Sequence, residues 1–121
     1  MTKSFFLLLG LTGLIFGGPF INPSTTGQAS VPRVLVTAKR FSFQPAEITL
    51  KRGQPVELIL RAADVAHGLR FRDLNLDIKV KKGATADVRF TPDRTGVFVG
   101  HCSVFCGSGH GAMELTIRVV E

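Results

Sequence analysis

Both cysteines of this 121-residue chain, two of its three histidines and its only methionine beyond Met1 fall inside one run, His101 to Met113. The donors are spaced Cys102-x3-Cys106-x3-His110-x2-Met113. Thiolate, imidazole and thioether are together the ligands of a soft or borderline transition metal, with copper first among them. A further nitrogen donor, His67, lies far upstream. If these side chains converge, the fold is a small scaffold wrapped around a metal site.

Each donor alone has an ordinary explanation. Met113 alone reads as a core filler, His110 as a loop histidine and His67 as a surface residue in the turn Asp64-Val65-Ala66-His67-Gly68. The two cysteines could form a disulfide if the chain is exported. A loop that short would remove little entropy from the unfolded chain, and the bond would leave His110 and Met113 unexplained. The joint occurrence favours a metal. Gly107, Gly109 and Gly111 alternate through the run and permit the close backbone approach that a tight wrap needs.

Three metal chemistries fit in part. Two cysteines and two histidines suit tetrahedral zinc, but zinc has no use for Met113. A blue mononuclear copper site takes one cysteine, two histidines and a weak axial methionine, so one thiolate is left over. Two thiolates could instead bridge two copper ions, each with one terminal imidazole. An electron shared over two metals changes bond lengths little, so reorganisation is small and transfer is fast.

The rest of the chain reads as short strands separated by turns. Val34 to Ala38, Phe41 to Phe43, Ile48 to Leu50 and Val88 to Phe90 alternate, and Leu115 to Val120 closes the chain as a strand. Gly68 to Phe71, Asp77 to Val80 and Val97 to Val99 are further short strands. Val56 to Leu60 is nearly continuously apolar, which suggests a central strand. No stretch after residue 30 has a helical period. The pattern predicts an all-β two-sheet sandwich of seven or eight strands, with Cys102 ending one strand, Leu115 beginning the next and the donors on the loop between. Lys79-Val80-Lys81-Lys82 reads as a solvated turn, and Asp64 as a loop residue near any docking face. Strand alternation points His101 away from Cys102, in a surface or supporting role.

Residues 1–29 read as a secretory signal: Lys3, an apolar run from Phe5 to Ile21, then a polar stretch ending at Ala29. An uncleaved anchor is the alternative, with membrane association through residues 5–21. That run has 17 residues, about 25 Å as a helix against roughly 30 Å of hydrocarbon. Either way residues 30–121 form the exported domain, periplasmic or extracytoplasmic. Removing the leader takes only Lys3 and leaves a net charge of +5. That balance suggests a partner with an acidic docking face or an anionic membrane surface. Scattered positive residues, the absence of Trp and Tyr and export argue against nucleic acid.

The run Cys102-Ser103-Val104-Phe105-Cys106-Gly107-x-x-His110-x-x-Met113 resembles the dinuclear copper (CuA) motif of cytochrome c oxidase subunit II, shared with nitrous oxide reductase. Phe43 to Ile48, Gly53 to Val56 and Asp64 to His67 resemble the cupredoxin pattern around it. The resemblance implies a Greek-key cupredoxin sandwich and two copper ions bridged by Cys102 and Cys106. It implies His67 and Met113 on one copper, with His110 and the backbone carbonyl of Val104 on the other. It implies a non-enzymatic electron-transfer protein serving a redox donor and acceptor, such as cytochrome c or an oxidase complex. A copper-trafficking module without redox turnover is the alternative.

The chain departs from that family in four ways, the first being that the usual subunit has two membrane helices and this chain reads as having at most one. Val104 stands where oxidases commonly carry a magnesium-binding Glu. There is no Trp for an electron-entry patch. The chain is basic, whereas the resemblance implies an acidic face for a basic cytochrome c. These departures favour a free or singly anchored carrier.

Overall fold

Alternating apolar side chains bury one face of each strand, and nine strands result. They are β1 (Arg33–Lys39), β2 (Ser42–Gln44), β3 (Glu47–Lys51), β4 (Val56–Ala62), β5 (His67–Phe71), β6 (Leu76–Val80), β7 (Thr85–Phe90), β8 (Gly96–His101) and β9 (Glu114–Val120). Two single 3₁₀ turns, Arg72–Leu74 and His110–Ala112, interrupt the loops. This computed structural model describes residues 30–121 and, before them, only residues 10, 13 and 17–19. The leader expected over residues 1–29 therefore lies outside the described residues, those isolated positions aside. Among the described residues no helix is long and apolar enough to cross a membrane.

The strands form two sheets, ordered β2-β1-β4-β7 and β3-β9-β8-β5-β6. β1 runs parallel to β4 and β3 parallel to β9; the other neighbours are antiparallel. The expected all-β sandwich is what forms, with nine strands rather than seven or eight. Around Pro45 the chain changes sheets: β2 joins β1 and β3 crosses to β9. Proline has no N–H for a ladder, so it suits the point where the chain changes sheets.

The inner faces supply the core. Val36, Phe43, Leu58, Leu60, Leu69, Phe71, Leu115 and Ile117 are almost wholly buried. β4, as its apolar run suggests, is an inner strand between β1 and β7. One expectation needs correction: Lys79 and Val80 are not turn residues. They finish β6, with Val80 buried and Lys79 exposed. Only Lys81 and Lys82 belong to the turn, because Val80 pairs with His67 across the sheet.

Candidate metal centre

β8 and β9 are antiparallel partners in register His101↔Glu114, so residues 102–113 form a loop at one end of the sandwich. The Cys102 N–H donates to the Met113 carbonyl at 3.1 Å and closes the neck of that loop. Cys102, Cys106 and Met113 turn inward and are buried. β5 enters beside β8, with Arg70 opposite His101. That pairing carries the first residue of β5, His67, under the loop, where it is fully buried. Gly68 permits this approach. A Cβ at that position would collide with the Ser103 hydroxyl.

The two thiol sulfurs lie 3.8 Å apart. A disulfide needs about 2.05 Å, so the cysteines are free. His67 Nδ1 stands 3.8 Å from Cys102 Sγ, and His110 Nδ1 stands 3.7 Å from Cys106 Sγ. Met113 Sδ is 3.8 Å from Cys106 Sγ. The Cys102 thiol donates to the Val104 carbonyl at 3.1 Å. All six donors read from the sequence thus belong to one cluster. Within it, the donor atoms of His67, Cys102 and Cys106 lie within 4.8 Å of one another. His101 stands outside: it is exposed, with Nδ1 3.5 Å from Glu114 Oε1, as strand alternation predicts.

Asp64 does more than a loop residue near a docking face. Its Oδ1 lies 2.7 Å from His67 Nε2, and its Oδ2 accepts the backbone N–H of Arg40 at 2.8 Å. Burial pushes its carboxyl up, but the hydrogen bonds from Arg40, His67 and Val65 outweigh that and hold it at about 2. Asp64 is therefore ionised near neutral pH and can only accept a hydrogen bond. Nε2 is therefore the donor to Asp64, and Nδ1 faces Cys102. A carboxylate on the outer imidazole nitrogen is the usual device for orienting a histidine ligand.

The turn between β1 and β2 covers the loop from the other side. Arg40 Nε donates to the Cys106 carbonyl at 2.7 Å. Phe41 packs over Gly107 and Gly109, and a Cβ on Gly107 would sit 2.8 Å from its ring. On the opposite flank Ser103 Oγ donates to Asp77 Oδ1 at 2.8 Å. Arg70 also binds Asp77. Sequence reasoning missed Arg40, Phe41, Ser103 and Asp77; Arg40 lies 24 and 66 positions from the groups it binds, and Ser103 lies 26 from Asp77. For Asp64 a signal existed, since it precedes His67 by three residues.

The donor set suits a metal that displaces protons from sulfur. Burial, reinforced by the neighbouring Cys102 thiol, pushes the Cys106 thiol up to about 11. Near neutral pH that thiol keeps its proton until a cation replaces it. Buried sulfur and imidazole, with no carboxylate among the six donors, favour a soft or borderline ion.

The sequence matches the family described as cytochrome C oxidase subunit II, periplasmic domain, over residues 28–120. The chain belongs to that family. This subunit II domain is 32% identical over 107 residues to a cytochrome c oxidase subunit 2 from Thermus thermophilus, covering 86% of this chain and 79% of that protein. It is 33% identical over 91 residues to a nitrous-oxide reductase from Cupriavidus necator, covering 72% of this chain but 14% of the reductase. Its fold is similar to that of the periplasmic domain of subunit II of cytochrome oxidase from Bradyrhizobium japonicum. There the TM-score is 0.68 at 24% identity, over 76% of this chain and 88% of that one. The cupredoxin-like, CuA-type subunit II domain expected from the loop motif is thus borne out. So is the periplasmic location.

Proposed function

We propose that this subunit II domain is an exported carrier of single electrons, holding two copper ions in the loop between β8 and β9. The observation that carries the reading is the pair of free thiols 3.8 Å apart, each with one imidazole nitrogen beside it. Cys102 and Cys106 would bridge the ions. His67 and Met113 would complete one copper, and His110 with the Val104 carbonyl the other. A copper pair bound there supplies reversible one-electron chemistry.

The protein's own contribution is rigidity. Asp64 fixes the His67 ring, Arg40 fixes the Cys106 carbonyl and the neck hydrogen bond fixes both ends of the loop. Ligands held this way move little between oxidation states, which keeps the reorganisation cost low. The domain binds no substrate and needs no general base, so it is non-catalytic by itself. Its donor and acceptor are redox proteins, such as a cytochrome or an oxidase complex. Valine at position 104 cannot hold magnesium, which favours a free or singly anchored carrier. We assign residues 1–29 to a leader and 30–121 to the exported domain.

Copper analysis with electron paramagnetic resonance on the purified protein tests this. Two coppers per chain with a delocalised, seven-line signal are expected. One metal per chain, or a localised four-line signal, would overturn the dinuclear reading. Retention of copper through repeated redox cycles separates a carrier from a trafficking module, which surrenders copper to a competing acceptor.

A further inference from the structure

The end of the sandwich that carries the donor loop has an uneven surface. Phe105, inside the loop, is 78% exposed although its ring centroid lies only 5.6 Å from that of His110. Phe41 is 37% exposed and lies across Gly107 and Gly109 of the same loop. Phe105 thus projects from the loop while Phe41 covers its glycines with part of the ring left open to solvent. Single exposed apolar residues need no explanation, but neighbouring aromatics over one loop mark a contact surface.

Three lysines share this pole. A chain of backbone hydrogen bonds fixes their position. Gly83 N–H donates to Ala62 O at 2.8 Å, and Ala63 N–H donates to Ala38 O at 2.9 Å. Arg40 N–H then reaches Asp64 beside His67. The turn holding Lys81 and Lys82 and the end of β1 holding Lys39 therefore share the pole of the donor loop. All three lysines are exposed. Among the described residues none of the three has a carboxylate at salt-bridge distance. Asp64, the carboxylate in this hydrogen-bonded chain, is taken up by His67 and Arg40. At the far pole Arg52 is paired with Glu121 at 2.8 Å.

We infer that this pole is a docking face for an acidic redox protein, with Phe105 as the apolar anchor and Lys39, Lys81 and Lys82 as the basic rim. The inference rests on the electron-carrier reading and adds the partner's chemistry and its landing site. Close apolar contact at Phe105 brings the partner's redox centre toward His110. The basic rim raises the encounter rate with an acidic surface and lowers it with a basic one. An anionic membrane is the weaker occupant, because it would cover the donor loop and shut out every protein partner.

The test uses the copper-loaded full-length protein in stopped flow. Reduced plastocyanin serves as the acidic donor and reduced mitochondrial cytochrome c as the basic one. The plastocyanin rate should fall steeply with added salt and the cytochrome rate should not. The triple change Lys39→Glu, Lys81→Glu and Lys82→Glu should slow plastocyanin roughly tenfold. Three charge reversals at the far pole and on the flanks, Lys51→Glu, Arg52→Glu and Arg118→Glu, should change it less than about twofold. Equal effects from the two triples, or a preference for cytochrome c, would overturn the proposal.

Amide shift mapping on the metal-free full chain with redox-inert zinc plastocyanin separates this proposal from the copper reading. Shifts centred on Phe105 and the three lysines support the docking face even if the copper signal fails. Shifts elsewhere refute it even if the copper pair is present. Binding to phosphatidylglycerol vesicles without any response to plastocyanin would replace the proposed partner with a membrane surface.

Discussion

Arg40 Nε donates to the carbonyl of Cys106 at 2.7 Å, joining the turn after β1 to the middle of the donor loop 66 positions later. The same residue's backbone N–H binds Asp64, which in turn holds His67. One residue therefore touches both halves of the donor set through two separate hydrogen bonds.

Arg40→Met should keep the backbone bond to Asp64 and lose the bond to Cys106. The expected loss is about 1 kcal/mol, the size of one charge-assisted bond on a partly exposed group, or a fall in Tm of roughly 4–8 °C for a domain this size. Copper should still bind, with a broadened or shifted absorption spectrum. Thermal melts with and without copper check this, and an unchanged spectrum would mean that the loop does not need the bond.

Gly109→Ala places a methyl group against the Phe41 ring. The loop or the ring must then move, and copper occupancy should drop. Pairing it with Phe41→Ala opens the space and should restore occupancy. Copper content of the single and double variants decides the matter. Failure of the double variant to recover would show that the strain lies elsewhere in the loop.

Asp77, like Asp64, contributes to the acid side of stability. Hydrogen bonds from Arg70, then Ser103 and Lys79, outweigh its burial and hold its carboxyl at about 2, below the ordinary carboxylate value of 3.8. A carboxyl lowered in the folded state stabilises the protein above its unfolded value and loses that contribution as pH falls toward the folded value. The window is therefore roughly pH 4 down to pH 2. Asp77→Asn should cost on the order of 1 kcal/mol at pH 6, after allowing for solvent screening, and much less at pH 2. Melts of both proteins across that range should converge at the acid end.

Met113→Leu should retain two coppers and change the reduction potential, since a thioether is a weak axial donor that tunes rather than holds the metal. Cys102→Ser or Cys106→Ser should abolish the delocalised signal. Redox titration and paramagnetic resonance on the three variants test this. An unaltered signal in Cys102→Ser would remove the bridging role from that sulfur.

The strand pattern and the donors were legible in the sequence for different reasons. β3 and β9 alternate because each buries one face, and period-two alternation survives in the chain as written. The donors were legible because thiol, imidazole and thioether rarely crowd into one short run without a shared task. The hold on them was not legible. Arg40 looked like any basic surface residue, and nothing near it in sequence names Cys106 as its partner.

The residues themselves decided which chemistry is available: two sulfurs, two imidazoles and a thioether, and a body that can only be sheet. Where His67 stands, which of its nitrogens faces the sulfurs, and which charges gather around the donor loop were settled by the pairing of distant strands. Local pattern reports what a side chain can bind, because that is a property of its atoms. What it does bind depends on which neighbours the packed sheets deliver, and that information is spread over contacts that no short window contains.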